Sequence, residues 1–206
     1  MDEYGQFRKP VGGSGRRMLE QMNEHHRSLA EWALGILPKT YPRNILDIGC
    51  GGGMLLSLLS EKYESKLYGI DISDESVRMT SEYNANLISS GRLKVSLDSV
   101  SEIPFNDGTL DLVTAFETYF FWPNLADDLV EIGRVVAENG FILIASEVYP
   151  HPDFNERNEK LISAYGMNVV DNESMAVMLE DAGFEVEIVE VEENNWVAFL
   201  GRKITV

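Results

Sequence analysis

From Asn44 onward, short apolar runs alternate with longer stretches in which apolar residues recur at three and four residue intervals. Asn44 to Ile48 (NILDI), Lys66 to Ile72 (KLYGIDI), Leu93 to Leu97 (LKVSL), Leu110 to Phe116 (LDLVTAF) and Phe141 to Glu147 (FILIASE) read as strands. The spacing between them predicts helices over Met54 to Tyr63, Asp74 to Ser89 and Leu125 to Ala137, the last ended by Asn139-Gly140. Strands and helices in alternation imply parallel crossover units. The tail departs from this rhythm, with a helix over Glu173 to Asp181 stopped by Ala182-Gly183. Two strand-like runs follow, Phe184 to Val191 and Trp196 to Leu200, and the turn-prone Glu192 to Asn195 between them makes a hairpin. The expected fold is α/β: a doubly wound, mostly parallel seven-stranded sheet with a C-terminal antiparallel hairpin and helices on both faces.

Ahead of this grammar, residues 5 to 15 (GQFRKPVGGSG) are rich in Gly and contain Pro10, which predicts a loop. Met22, His26, Leu29, Ala33 and Ile36 then fall on one helical face, and Pro38 marks the stop. Residues 1–43 are accordingly read as an N-terminal helical extension and residues 44–206 as the main domain.

A length of 206 residues, 44% hydrophobic and 25% charged, suits one domain. The formal charge of −17 opposes binding to phosphate backbones or to an anionic membrane surface. It is unevenly spread: residues 1–43 hold seven cations and five anions, the remainder ten and twenty-nine. A slightly basic extension over an acidic core has the charge balance of an electrostatically held lid. No run approaches the roughly 18 apolar residues of a membrane span, and the start, MDEYGQFRKP, lacks the apolar core of a signal peptide. The single cysteine, Cys50, precludes an internal disulfide, and one Cys with three His is too few for a structural zinc site. A soluble, cytoplasmic protein without a metal is expected.

The chemistry concentrates in Asp47-Ile48-Gly49-Cys50-Gly51-Gly52-Gly53, where the first strand turns into a helix. Glycines there let the backbone approach a ligand, and the helix start offers unpaired N–H groups to an anion. A dinucleotide fingerprint needs glycine at the sixth position from Gly49, but Met54 stands there. Glycine amides for a carboxylate, with Asp47 nearby for an ammonium, describe a site for an amino-acid moiety. The run ILDIGCGGG resembles the first motif of class I S-adenosylmethionine-dependent methyltransferases.

Further segments agree in order. Asp71, in YGIDIS, stands where that family has the acid that accepts both ribose hydroxyls, with Ile72 against the adenine face. Asp98-Ser99 before Ile103-Pro104-Phe105 resembles the Asp-Ala segment that receives the adenine amino group. Phe116 ends the strand whose backbone passes beneath the methionine portion, and Glu138-Asn139-Gly140 is a weaker match to the turn before the fifth strand. The resemblance covers about residues 44–200. It implies S-adenosylmethionine as cofactor, bound by Asp47, Gly49, Cys50, Gly51, Gly53, Asp71, Ile72, Asp98, Ser99 and Phe116; the Cys50 side chain itself reads as a small filler of the loop.

Methyl transfer needs mainly alignment, and a general base only where the nucleophile must lose a proton. Candidates are His25, His26, Glu117 and His151. Adjacent helical residues point about 100° apart, so at most one of His25 and His26 is expected to face the cofactor. His151, between Pro150 and Pro152, lies near the expected mouth of the substrate pocket. Tyr119-Phe120-Phe121-Trp122 follows the fourth strand and either walls an apolar pocket or packs beneath the N-terminal helix, with Met18 and Met22 opposite. The expected function is methyl transfer to a small-molecule acceptor. The alternatives are a non-catalytic protein that binds S-adenosylmethionine or S-adenosylhomocysteine, and a methyltransferase acting on protein or tRNA. An NAD-dependent oxidoreductase is disfavoured by Met54. The acceptor atom and the oligomeric state stay open.

Overall fold

The structure, a computed structural model, describes residues 5–204. Expectations that involve residues 1–4, including the charges of Asp2 and Glu3 and the character of the N-terminus, lie outside the described residues. In chain order the elements are α1 (Gly5–Arg8), α2 (Gly12–His25), α3 (Arg27–Ile36), β1 (Asn44–Ile48), α4 (Met54–Lys62), β2 (Lys66–Asp71), α5 (Asp74–Tyr83), α6 (Ala85–Ser89), β3 (Leu93–Leu97) and β4 (Leu110–Phe116). Then follow α7 (Leu125–Val135), β5 (Val136–Ser146), α8 (Asn155–Tyr165), α9 (Asn172–Asp181), β6 (Phe184–Val191) and β7 (Trp196–Lys203).

The seven strands lie in the order β3-β2-β1-β4-β5-β7-β6. Strands β1 to β5 pair in parallel, and β7 runs antiparallel to both β5 and β6. Because successive side chains point to opposite faces, the apolar run of β1 feeds two cores at once. Leu46 and Ile48 join Leu129, Ile132 and Leu179 from α7 and α9 on one face. Ile45 joins Leu29, Ala33 and Leu34 of α3 and Leu56 and Leu59 of α4 on the other. The strand order reverses between β1 and β4, so the connections leaving their carboxyl ends diverge and open a crevice there. Among the described residues, no helix is long and apolar enough to cross a membrane.

Several boundaries differ from those expected. The predicted loop over residues 5–15 is largely helical, comprising α1 and the first turn of α2. Close packing overrides the low helix propensity of its glycines: a Cβ on Gly15 would lie 2.7 Å from the Pro10 carbonyl carbon, and Gln6 Oε1 accepts a hydrogen bond from Val11 N at 2.7 Å. The expected helix through residues 22–36 is broken at His26, which stands between α2 and α3. The predicted helix over 74–89 is likewise split at Asn84, whose side chain donates to the Gly53 and Thr80 carbonyls. Strand β5 starts at Val136, where the expected helix was to continue to Ala137; a register shift in its pairing with β4 and the positive φ of Asn139 (61°) absorb the turn at Asn139-Gly140. Helix α8 has no counterpart in the sequence reading.

Helix α3 is part of the core, with Ala33 and Leu29 fully covered. Helices α1 and α2 sit over the crevice instead. They are held by an Arg16–Glu82 ion pair at 2.7 Å, by Asn23 Nδ2 donating to the Gly52 carbonyl at 3.0 Å, and by Ser73 Oγ donating to the Pro10 carbonyl at 2.6 Å.

Candidate functional site

The floor of the crevice is the turn after β1. Gly49 and Gly51 adopt φ of +69° and +52°, conformations that an L side chain resists, and Gly49 N donates to the Ile70 carbonyl at 2.8 Å. This aims the loop past the end of β2, where Asp71 is fixed by two backbone donors: Gly51 N to Oδ2 at 3.0 Å and Ser73 N to Oδ1 at 2.9 Å. Burial raises the Asp71 carboxyl above its usual range, against the lowering effect of those two bonds. Asp47 is more deeply enclosed and accepts a hydrogen bond from Thr114 Oγ1 at 2.8 Å. Burial pushes its carboxyl up to about 7, opposed by the Thr114 bond and reinforced by the nearby charge of Asp71.

A cavity of about 160 Å³ lies against this turn, roofed by α1 and α2. Asp47, Gly49, Cys50, Gly51, Asp71, Ile72, Asp98, Ser99 and Phe116 all line it, so nine of the ten predicted cofactor contacts are brought to one place. Gly53 is not among the lining residues. It precedes α4 with φ of +84°, and a Cβ there would meet Thr80 of α5 and Asn84 just after it, so both its backbone angle and the packing behind the loop require glycine.

A second cavity, of about 340 Å³, adjoins the first and shares Phe7, Met22, His26, Glu117 and Phe121 with it. Most of its wall is apolar, including Met18, Phe120, Leu161 and Met167, while His25, His26, Glu117 and Glu147 gather as polar groups. His26 lines both cavities and His25 only the second. Burial lowers the His26 imidazole to about 4, against the raising effect of Glu147, so the ring is neutral at pH 7. Glu117 has a left-handed φ of 54° and its Oε1 accepts from Glu147 N at 2.5 Å. Burial, with the Glu147 charge adding to it, raises the Glu117 carboxyl to about 8, so it retains its proton near neutrality. Strained, buried and raised to about 8, it has the properties of a functional group.

His151 lines neither cavity. It accepts from Asp153 N at 3.3 Å and packs beside Tyr149 and Phe154, an N-terminal cap for the short 3-10 turn Pro152–Phe154. The aromatic cluster divides: Phe121 and Trp122 line the first cavity, Phe120 and Phe121 the second, and Tyr119 is core. Sequence reasoning missed Glu147, which it treated as the end of a strand. Its signal was position, an acid at the carboxyl edge of a parallel sheet. Thr118, packed against Gly49, and Asn23, bonded to the glycine turn, carried no sequence signal.

The raised Asp47 carboxyl has a consequence for stability. The folded protein holds a proton that the unfolded chain releases near pH 4, so stability should fall as pH rises from about 4 through about 7. Asp47→Asn removes this ionisation and keeps an acceptor for Thr114. The variant is expected to lose less melting temperature than the parent between pH 5 and pH 8, as scanning calorimetry without ligand would show. An undiminished difference would refute the assignment.

Residues 46–144 match the family described as methyltransferase domain. A sterol 4-C-methyltransferase of Caenorhabditis elegans is 29% identical over 164 residues, which are 78% of this chain and 47% of that protein. The chain spans about half the length, or less, of the first curated relatives that it matches. Among solved structures, a chain from the Haloferax volcanii complex of the Trm112 methyltransferase activator and a methyltransferase superposes with a TM-score of 0.82 at 18% identity, over 91% of this chain and 94% of that one. A SAM-dependent methyltransferase of Aquifex aeolicus superposes at 0.73 with 23% identity, over 92% of this chain and 98% of that one.

Proposed function

We propose that this chain, whose residues 46–144 match a methyltransferase domain and whose fold superposes on that of a SAM-dependent methyltransferase, transfers a methyl group from S-adenosylmethionine to a small, largely apolar acceptor. The observation that carries this reading is the pair of adjoining cavities, one lined by nine of the residues matched to the cofactor and the other mostly apolar, meeting at His26, Glu117 and Phe121. S-adenosylmethionine, when bound, supplies a methyl group already activated on a sulfonium. The amides of Gly49, Cys50, Gly51 and Gly53 are bonded within the protein, so the turn gives the ligand's amino-acid end close backbone approach, and Asp47 is a partner for its ammonium. Asp71 takes the ribose hydroxyls, Ile72 lies along the adenine, and Asp98 with Ser99 meets the adenine edge.

The chain's remaining task is to align an acceptor and exclude water. Phe120, Phe121, Met18 and Met22 hold the acceptor's apolar body, and the neutral His26 stands at the junction of the two cavities. We assign the lid role to α1 and α2 alone, since α3 is built into the core. A cytoplasmic setting belongs to the same reading and is supported by the single, unpaired Cys50.

The acceptor class is tested with methyl-labelled S-adenosylmethionine, the protein and a cell extract separated into small-molecule, protein and RNA fractions. Label is expected in organic-extractable small molecules. Incorporation into protein or RNA instead would overturn it.

A further inference from the structure

We propose that His25, His26 and Glu147 form a binding site for one divalent transition-metal ion in the wall of the second cavity. One ligand atom from each, a ring nitrogen of both imidazoles and a Glu147 carboxylate oxygen, lies within 4.8 Å of the others. His25 Nε2 is 3.0 Å and His26 Nε2 3.9 Å from the same Glu147 Oε1.

Neighbouring residues on an unbroken helix would diverge by about 100°. Here both nonetheless reach one carboxylate oxygen, at the point where the helix breaks at His26. Helix α2 ends at His25, α3 starts at Arg27, and His26 between them has φ −85° and ψ 0°. The two rings then stand edge to face with centroids 5.1 Å apart, over one carboxylate. That carboxylate sits on a fixed backbone: Glu147 N donates to Glu117, and the Glu147 carbonyl accepts from Asn195 Nδ2 at 3.0 Å and from Arg157. The His25 side chain is 65% exposed and has room to swing.

Zinc binds imidazole nitrogen and carboxylate oxygen at about 2.0–2.2 Å, which puts coordinated atoms roughly 3–4 Å from one another. The observed separations reach that range with side-chain rotation alone. Two imidazoles and one carboxylate favour Zn²⁺, Fe²⁺ or Mn²⁺ over Mg²⁺ and Ca²⁺, which prefer all-oxygen shells. Cys50 and His151 lie outside this cluster, so no closed four-ligand set forms, and three protein ligands with open positions make a site of the catalytic kind. All three residues line the second cavity, so the open positions face it. If that cavity takes the acceptor, the ion binds an acceptor oxygen or sulfur and favours its deprotonated form. That role rests on the proposed function; the metal site itself does not.

Titration calorimetry of the full chain with Zn²⁺, and the visible spectrum with Co²⁺, test the site directly. One equivalent of Zn²⁺ should bind, Co²⁺ should give a d–d band that Zn²⁺ abolishes, and excess Mg²⁺ should not compete. His25→Ala, His26→Ala and Glu147→Gln should each weaken Zn²⁺ binding by at least ~10-fold, with His25→Ala retaining its affinity for S-adenosylhomocysteine as evidence of an intact fold. No Zn²⁺ or Co²⁺ binding by a protein that binds S-adenosylhomocysteine, binding unaffected by all three substitutions, or displacement by Mg²⁺ would overturn the site. Metal binding without S-adenosylhomocysteine binding would leave it standing and refute the methyl-transfer reading instead.

Discussion

Asp71→Ala is expected to weaken S-adenosylhomocysteine binding by about 100-fold or more. Each Asp71 oxygen already accepts one backbone hydrogen bond, from Gly51 or Ser73, which fixes the carboxylate at the end of β2. Asp71 lines the cavity, where its carboxylate oxygens meet two ribose hydroxyls in the proposed complex. Hydrogen bonds to a charged acceptor contribute roughly 1.5–3 kcal/mol each, so losing two corresponds to about 3–6 kcal/mol. The same substitution strips Gly51 N of its partner, which loosens the turn that faces the ligand's amino-acid end. Asp71→Asn, which keeps the shape and loses the charge, should fall between the parent and Asp71→Ala. Unchanged affinity in Asp71→Ala, measured on a protein with a cooperative thermal transition, would refute the ribose assignment.

Gly49→Ala should destabilise the fold by about 2–4 kcal/mol. A φ of +69° costs an L residue roughly 1–2 kcal/mol, and the added Cβ would collide with Thr118, lying 2.9 Å from its Cβ and closer still to its Oγ1. Both β1 and β4 are central strands, so neither side gives way easily. Thr118→Gly in the same chain should recover the part due to collision and leave the backbone part. Denaturant unfolding separates the two. A Gly49→Ala protein as stable as the parent would contradict the account of this turn.

What the sequence disclosed follows from how local each signal is. The central strands β1, β4 and β5 carry near-continuous apolar runs, because helices cover both faces of the sheet there, while the edge strands β3 and β6 alternate; both patterns are legible without any knowledge of their neighbours. The glycine turn was legible for the same reason: Gly49 and Gly51 are required by their own backbone angles. Residues 5–15 were not, since Gly15 permits the first turn of α2 to approach Pro10 closely, a reason that exists only in three dimensions. Gly53 is legible as part of the glycine run, but the packing of α5 behind it is not. The convergence of His25 and His26 was hidden by the helical periodicity itself, which runs through the break at His26 uninterrupted. Glu147 was hidden because it closes an otherwise apolar strand, 122 residues from the His25 ring it meets.

The most direct measurement is titration calorimetry of the unmodified protein with S-adenosylhomocysteine and, separately, with NAD. The glycine turn lacks a glycine at position 54 and brings Asp47, Asp71 and Asp98 to one cavity. Saturable one-to-one binding of S-adenosylhomocysteine, with no heat from NAD, is the expected result. Binding of NAD, or no binding of S-adenosylhomocysteine by the folded protein, would contradict it.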